Sequence, residues 1–527
     1  MKAKLLFIFT AAMLFPSQVI LSSCGDEEED EPVLNDGGEK VNSNSNNNNY
    51  GNNSNENLPT VADEIYDEYY NSSSSDKKPE YTYDLSDVLD KILAVELLDD
   101  DNEENVTLDD LIKIKADADA GDANAQFKLG LCYAKGNGVA QNYDNAVFWY
   151  KKAAEQGNAK AQNNLGVCYN RGNGVEQNYE TAVMWYKKAA DQGNRVAQYN
   201  LGYKYDLGQG VTENHTIAIE WYKKSAAQGY AAAQYRLGKC YYDGNGVIKD
   251  YPTAVEWYEK AALQGDEDAI LFLGFCCEYG YGVKQNYNTA AKLYQKVSAN
   301  NARAQNNLGW CYYDGNGVNQ NYDKAVEYFK KAAAQDNTNA QYGMGCCYYH
   351  GNGVMQNYNE AVEWFKKSAE QGYANAQDKL GQCYLYGYGV TKDESKAFEW
   401  WQKAADQGHS NAQNGLGVCY DNGYGVNKDY PKAFEWFKNA SLQGNAYAQC
   451  NLGLLYYNGR GVNKNYYTAF KYFKRAANKG YDEAQYWLGR CYEHGQGTTK
   501  DIDKAKEWYQ KAADQGYEKA KERLKNM

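Results

Sequence analysis

Thirteen cysteines and four histidines are the side chains of this 527-residue chain most able to do chemistry. Cysteines in that number suit a disulfide framework in an exported protein. Their spacing argues otherwise. Nine fall at one position of a recurring pattern: Cys132, Cys168, Cys240, Cys276, Cys311, Cys347, Cys383, Cys419 and Cys491. Lys204 and Leu455 hold that position in two further copies, and the remaining cysteines are Cys24, Cys277, Cys346 and Cys450. Equivalent positions in successive helical repeats lie about 8–10 Å apart or more, beyond the roughly 4.4–6.8 Å between Cα atoms that a disulfide spans. The position therefore reads as small buried packing with free thiols. His215, His350, His409 and His494 are scattered over different copies and form no nucleophile–base or metal-ligand spacing. Loops such as Gly136-Asn137-Gly138-Val139 lack the preceding strand and following lysine of a phosphate cradle, and read as turns. Asp243-Gly-Asn-Gly and Asp314-Gly-Asn-Gly begin like a calcium loop but lack its later acidic ligands. No catalytic set, metal site or cofactor is expected, and the chain reads as a non-enzyme.

The elements that position these residues are written into one stretch, Ala125 to Lys160, which the chain repeats. Its opening alanine returns at Ala161, Ala197, Ala233, Ala269, Ala304, Ala340, Ala376, Ala412, Ala448, Ala484 and Ala520, every 36 residues except for 35 after Ala269. Such a period marks a solenoid, whose units bury their faces against neighbours. Ala125, Leu129, Cys132 and Tyr133 form one stripe of a first helix, A. Asn142 is an N-cap for a second helix, B, whose buried face is Ala146, Trp149, Tyr150, Ala153 and Ala154, with Gly157 as a left-handed C-terminal cap. Gly130 inside helix A costs about 1 kcal/mol against alanine. Its recurrence predicts close packing against the Trp149-Tyr150 pair.

The pattern Ala-x-x-x-Leu-Gly-x-x-Tyr, Gly-x-Gly-Val, Asn/Asp-x-x-x-Ala, Trp-Tyr-x-Lys-Ala-Ala-x-x-Gly resembles the Sel-one-like repeat (SLR), a cousin of the tetratricopeptide repeat. The resemblance implies an all-α superhelix of eleven helix-turn-helix repeats over 122–518, with A helices lining a concave face. It also implies a protein-interaction scaffold rather than an enzyme, although some secreted members are linked to cell-wall or β-lactam chemistry. Secreted relatives rich in cysteine pair one cysteine from each helix of a repeat, and this chain, with none on its B helices, departs from that.

Before the repeats, Lys2, Lys4, an apolar run from Leu5 to Leu14 and Leu21-Ser22-Ser23-Cys24 read as a secretory signal peptide over 1–23. The end resembles a bacterial lipobox, in which Cys24 is the lipidated residue. Acidic residues Asp26 to Glu31 behind it are similar to a surface-export signal of Bacteroidota lipoproteins. The expected location is the cell envelope, as an outer-membrane lipoprotein attached to the membrane by its lipid alone. Residues 24–83, rich in Asn and Ser, read as an acidic flexible tether. Residues 24–122 carry a net charge of −23 and 123–527 a net of +7. That basic excess is thin, so nucleic acid is not an expected partner. Two helices are expected in an N-terminal cap over 84–121: one with the stripe Leu85, Val88, Leu89, Ile92 and Leu93, the other opened by Thr107-x-x-Asp110 and standing where a B helix would. A charged helix over 519–527, around Ala520 and Leu524, caps the other end against stacking, and the chain is expected to be a monomer.

Counting from the opening alanine as zero, offsets 0, 4, 5, 7 and 8 of helix A are nearly fixed, and 2, 3, 6, 9 and 10 vary on the opposite face. In repeats three to seven the variable face carries Tyr199, Tyr203, Tyr235, Tyr242, Phe272, Phe275, Trp310, Tyr313, Tyr342 and Tyr349. Rigid aromatic area suits a protein or peptide partner, or an envelope glycan such as peptidoglycan. Packing of the rings between adjacent A helices is the competing account. A cell-wall or β-lactam hydrolase is disfavoured by the absent catalytic set.

Overall fold

The computed structural model describes residues 81–95 and 106–527; Cys24 and the leader and most of the tether lie outside the described residues. The fold is all-α, with 25 helices and no strand among the described residues. None of these helices is long and apolar enough to cross a membrane. They divide into two compact units, the first ending at Tyr373 and the second running from Ala374 to Met527. The first unit holds α1 (Ser86–Ala94), α2 (Leu108–Asp119) and repeats one to seven; the second holds repeats eight to eleven and a last helix, Glu518–Lys525.

Repeat one shows how the letters make the fold. Helix α3 (Ala123–Lys135) is its A helix and α4 (Tyr143–Glu155) its B helix. Asp122 and Asn142 open them, their side-chain oxygens accepting from the N–H groups of Ala125 (2.6 Å) and Asn145 (2.9 Å). Each cap satisfies a donor that the first helical turn leaves without an intrahelical partner. Gly136, at φ +79°, ends α3 in the left-handed region that only glycine adopts without strain, and its N–H returns to the Cys132 carbonyl. The glycine inside α3 has a different reason. A Cβ on Gly130 would stand 2.6 Å from the ring of Tyr150, so the helices of a pair approach through a glycine–ring contact. Tyrosine, phenylalanine or tryptophan takes the same place in every repeat, and it is the Tyr150 position that makes this contact, with Trp149 lying instead against Leu129 and Ala118.

A glutamine pair fastens neighbouring elements. Gln162 Nε2 donates to the Ala154 carbonyl of the preceding B helix at 3.1 Å, and its Oε1 accepts from Gln192 at 2.7 Å. Such Gln–Gln pairs occur in nine of the eleven repeats, the exceptions being repeat five, where Ile270 stands in the slot, and repeat ten, where Lys479 replaces the second glutamine. Helix α2, opened by a Thr107–Asp110 capping box, takes the place of a missing B helix: Gln126 reaches its Ala118 carbonyl at 3.1 Å, as Gln162 reaches Ala154. The last helix buries Ala520 and packs Leu524 against repeat eleven.

Helix α1 is not beside α2. Its Leu85, Leu89 and Ile92 are buried on repeat five, against the B helix Tyr287–Val297. An amphipathic stripe requires a partner surface without specifying which one, and here the apolar surface is 203 residues downstream, counted from Leu93 to Lys296, rather than at the start of the array.

Candidate interaction surface

Each A helix turns its fixed stripe toward its own B helix, which leaves the variable stripe facing the next A helix and solvent. In repeats three to seven this stripe carries groups of touching rings, one in repeat three, one across four and five, and one across six and seven. Tyr199 lies 6.2 Å from Tyr203 and 5.4 Å from Tyr230. Tyr235 lies 5.7 Å from Phe272, and Tyr242 is in edge contact with Phe272 and Phe275 at 6.4 and 6.3 Å. Trp310 lies 6.2 Å from Tyr342 and donates its Nε1 hydrogen to Asn339 at 3.2 Å. The contacts from Tyr235 and Tyr242 join repeats four and five, and that of Trp310 joins six and seven, so these rings serve packing and lining together.

Burial sorts the ten residues. Tyr199, Tyr203, Tyr235, Tyr242, Phe272, Phe275, Trp310 and Tyr342 are half-buried and keep part of each ring at the surface. Tyr313 and Tyr349 are 3% and 9% exposed and offer almost no surface to a partner. They sit at offset 9, where Phe329 and Phe365 leave room that a tyrosine ring fills, as the contacts Tyr313–Phe329 and Tyr349–Phe365 show. Cations border the stripe: Arg236 lies over the Tyr203 ring at 4.7 Å, and Lys239, paired with Asp243 at 2.9 Å, lies 5.6 Å from Phe272. Burial pushes the Tyr235 and Tyr242 hydroxyls above the ordinary tyrosine range, so both stay neutral donors at physiological pH.

Outside the aromatic run the same face is lined with amides. Asn200 Nδ2 donates to Asn163 Oδ1 at 3.0 Å, and Asn451 to Asn414 at 3.0 Å. A second aromatic group lies in repeats ten and eleven: Tyr457 is 5.3 Å from Trp487, and Tyr486 is 5.2 Å from Tyr517. Tyr457, Tyr486 and Trp487 stand at offsets 9, 2 and 3, so the stripe rule that selected the central residues would have found them had it been carried to the last repeats.

The twelve described cysteines are buried free thiols. Burial pushes the Cys168 thiol up to about 11 and those of Cys240 and Cys419 up to about 12, which keeps them protonated and unreactive. The histidines stand apart: His409 caps a helix by accepting from the Ala412 N–H, and His215 contacts Asp206 at 2.9 Å.

The Sel1 repeat family model matches eleven consecutive segments, from 123–158 through 482–517. The chain is 37% identical to a protective antigen of uropathogenic Escherichia coli strains displaying an SLR fold, with a TM-score of 0.63 over 79% of this chain and 89% of that one. It is 33% identical to a Sel1 repeat protein from Oxalobacter formigenes, with a TM-score of 0.43 over 46% of this chain and 99% of the other. No curated protein matches it.

Proposed function

Because the chain belongs to the Sel1 repeat family, whose proteins are generally protein–protein interaction scaffolds, we propose that it holds a polypeptide partner along the aromatic face of repeats three to seven. The observation carrying this reading is the set of eight half-buried rings on one face, bordered by Arg236 and Lys239. Rings already ordered by their neighbours lose little entropy on binding, so their exposed edges contribute area at low cost. Cations beside them suit a partner with carboxylates. In this proposal the scaffold acts from the cell envelope, lipidated at Cys24 after cleavage behind Leu21-Ser22-Ser23. An envelope glycan stacked on the same rings is the alternative occupant.

Capture from detergent-solubilised envelope, run beside a glycan array, tests the reading. Recovery of a polypeptide supports it, and array binding without polypeptide capture replaces it with the glycan. Tyr235→Ala with Trp310→Ala is expected to weaken binding by about 2 kcal/mol or more, as central aromatic contacts do. Tyr313→Ala is the packing control: it should lower the melting temperature and leave affinity unchanged in the folded fraction. Unaltered affinity in the double variant would remove the aromatic face from the interaction. Separately, Cys24→Ala should release the protein from membranes or block its maturation.

A further inference from the structure

Repeat five departs from all ten of its sisters at four positions, one of them Val297, where the others have alanine or serine. Offset 1 is glutamine in every other repeat and Ile270 here; offset 8 is tyrosine in every other repeat and Cys277 here; offset 24 is tryptophan or tyrosine in every other repeat and Leu293 here. The last two changes belong together. Elsewhere the offset-8 and offset-24 rings can lie against each other on the outer seam of a repeat, as Tyr312 and Tyr328 do at 5.8 Å and Tyr456 and Tyr472 at 5.9 Å. Repeat five lacks both rings, and its B helix is narrowed further by Ala291. Truncation of this kind leaves apolar surface open unless another element covers it.

Helix α1 is that element. Leu85, Leu89 and Ile92 enter one cluster with Ile270, Cys277, Ala291, Leu293 and Val297. Cys277 is 1% exposed, whereas the tyrosines at its position in other repeats are half-buried. Both ends of the segment are held by polar contacts. The Lys284 N–H donates to the Tyr83 carbonyl at 2.8 Å. Lys296 Nζ donates to the carbonyls of Leu93 (3.0 Å) and Val95 (2.6 Å), which end α1. In most other repeats the lysine at that position lies over the offset-24 ring, as Lys224 does over Trp221 at 3.8 Å and Lys403 over Trp400 at 3.9 Å. With Leu293 in place of the ring, Lys296 is released to cap a helix C-terminus, where a cation is favoured.

We infer that repeat five is a dedicated receptor for the chain's own helix α1, a latch site recognising a short amphipathic helix with the Leu85, Leu89, Ile92 spacing. The receptor and the ligand depart from the array in complementary ways, apolar for apolar and lysine for free carbonyls. The latch places Tyr83 and α1 on the fifth repeat instead of the first.

The test uses the full chain with a protease site placed within residues 96–105. After cleavage, the N-terminal fragment should co-elute with the array on size exclusion, at the mass of one chain. Leu89→Asp with Ile92→Asp should abolish co-elution from the ligand side. Cys277→Tyr with Leu293→Trp, which restores the rings of the sister repeats, should abolish it from the receptor side while the array melts at or above the wild-type temperature. Release of the fragment from the wild-type chain, or its retention in both variants, would overturn the latch. A two-chain mass that falls to one in the Leu89→Asp, Ile92→Asp variant would also overturn it, because α1 would then be seated on a second copy.

Discussion

Repeats five and nine place a carboxylate at the same position of helix A and treat it in opposite ways. In repeat five, Glu278 accepts a hydrogen bond of 2.6 Å from the Tyr294 hydroxyl of its own B helix. In repeat nine, Asp421 faces Phe437, which has no hydroxyl; one of its oxygens is buried without a partner and the other lies 3.7 Å from Arg460. Asp206 with Tyr222 and Glu493 with Tyr509 follow repeat five, at 3.3 and 2.6 Å. Where phenylalanine stands in the B helix, the A helix elsewhere answers with a tyrosine, as in Tyr313–Phe329 and Tyr457–Phe473. Repeat nine combines the carboxylate of the first arrangement with the phenylalanine of the second. A solenoid thus tolerates a local mismatch in one unit because each unit is stabilised by its own pair and its neighbours.

What the two repeats share is the glycine under the ring, and breaking it should have the largest effect. A Cβ on Gly274 would lie 2.6 Å from Tyr294, and one on Gly417 2.5 Å from Phe437. Gly274→Val and Gly417→Val should each cost about 3 kcal/mol by overpacking, measured by denaturant unfolding, whatever the carboxylate beside the ring does. A smaller loss, about 1–2 kcal/mol, is expected for Tyr294→Phe, which removes the donor from the B helix and leaves Glu278 with Tyr279 alone. If Tyr294→Phe is neutral, the hydroxyl is not what makes the carboxylate tolerable.

Third comes a charge effect. Burial first, and the Glu278 charge second, push the Asp314 carboxyl from 3.8 up to about 6. The folded state then binds more protons than the unfolded state between these values, so stability falls as pH rises from about 4 to about 6. Asp314→Asn should flatten that part of the profile and raise stability at pH 7 by about 1–2 kcal/mol. Thermal melts across that range check both. The smallest effect is a repair: Phe437→Tyr should stabilise repeat nine by about 1 kcal/mol, by bringing to Asp421 the donor that Tyr222 brings to Asp206. A loss there would mean that the small cavity beside Asp421, Phe437 and Arg460 does not accommodate the hydroxyl.

The solenoid, its helix caps and the glycine–ring packing were legible because each is a local rule written many times over. The cysteine position was legible for the same reason, and Thr107 to Asp110 announced α2 by its capping residues alone. Two things were not. Half-burial of the rings depends on how closely successive A helices approach, and a stripe of Tyr235, Tyr242 and Phe272 looks the same whether it faces solvent or a neighbour. The seat of α1 was the other. Its apolar stripe was plain, but the receptor is defined by exceptions, Ile270, Cys277 and Leu293, and a reading built on periodicity passes over positions where the period fails. Only the single shortened interval after Ala269 pointed at that repeat.

The latch also sets an order of events. The glutamine pairs and glycine–ring contacts join residues within one repeat or the next, so each repeat can dock on the one before it as it leaves the ribosome. Helix α1 cannot. Lys296, which holds its end, follows Leu93 by 203 residues. At about 5–20 residues per second, α1 waits roughly 10–40 s with Leu85, Leu89 and Ile92 uncovered. During that interval the N-terminal segment is the part of the nascent chain open to capture by whatever else recognises a short apolar helix.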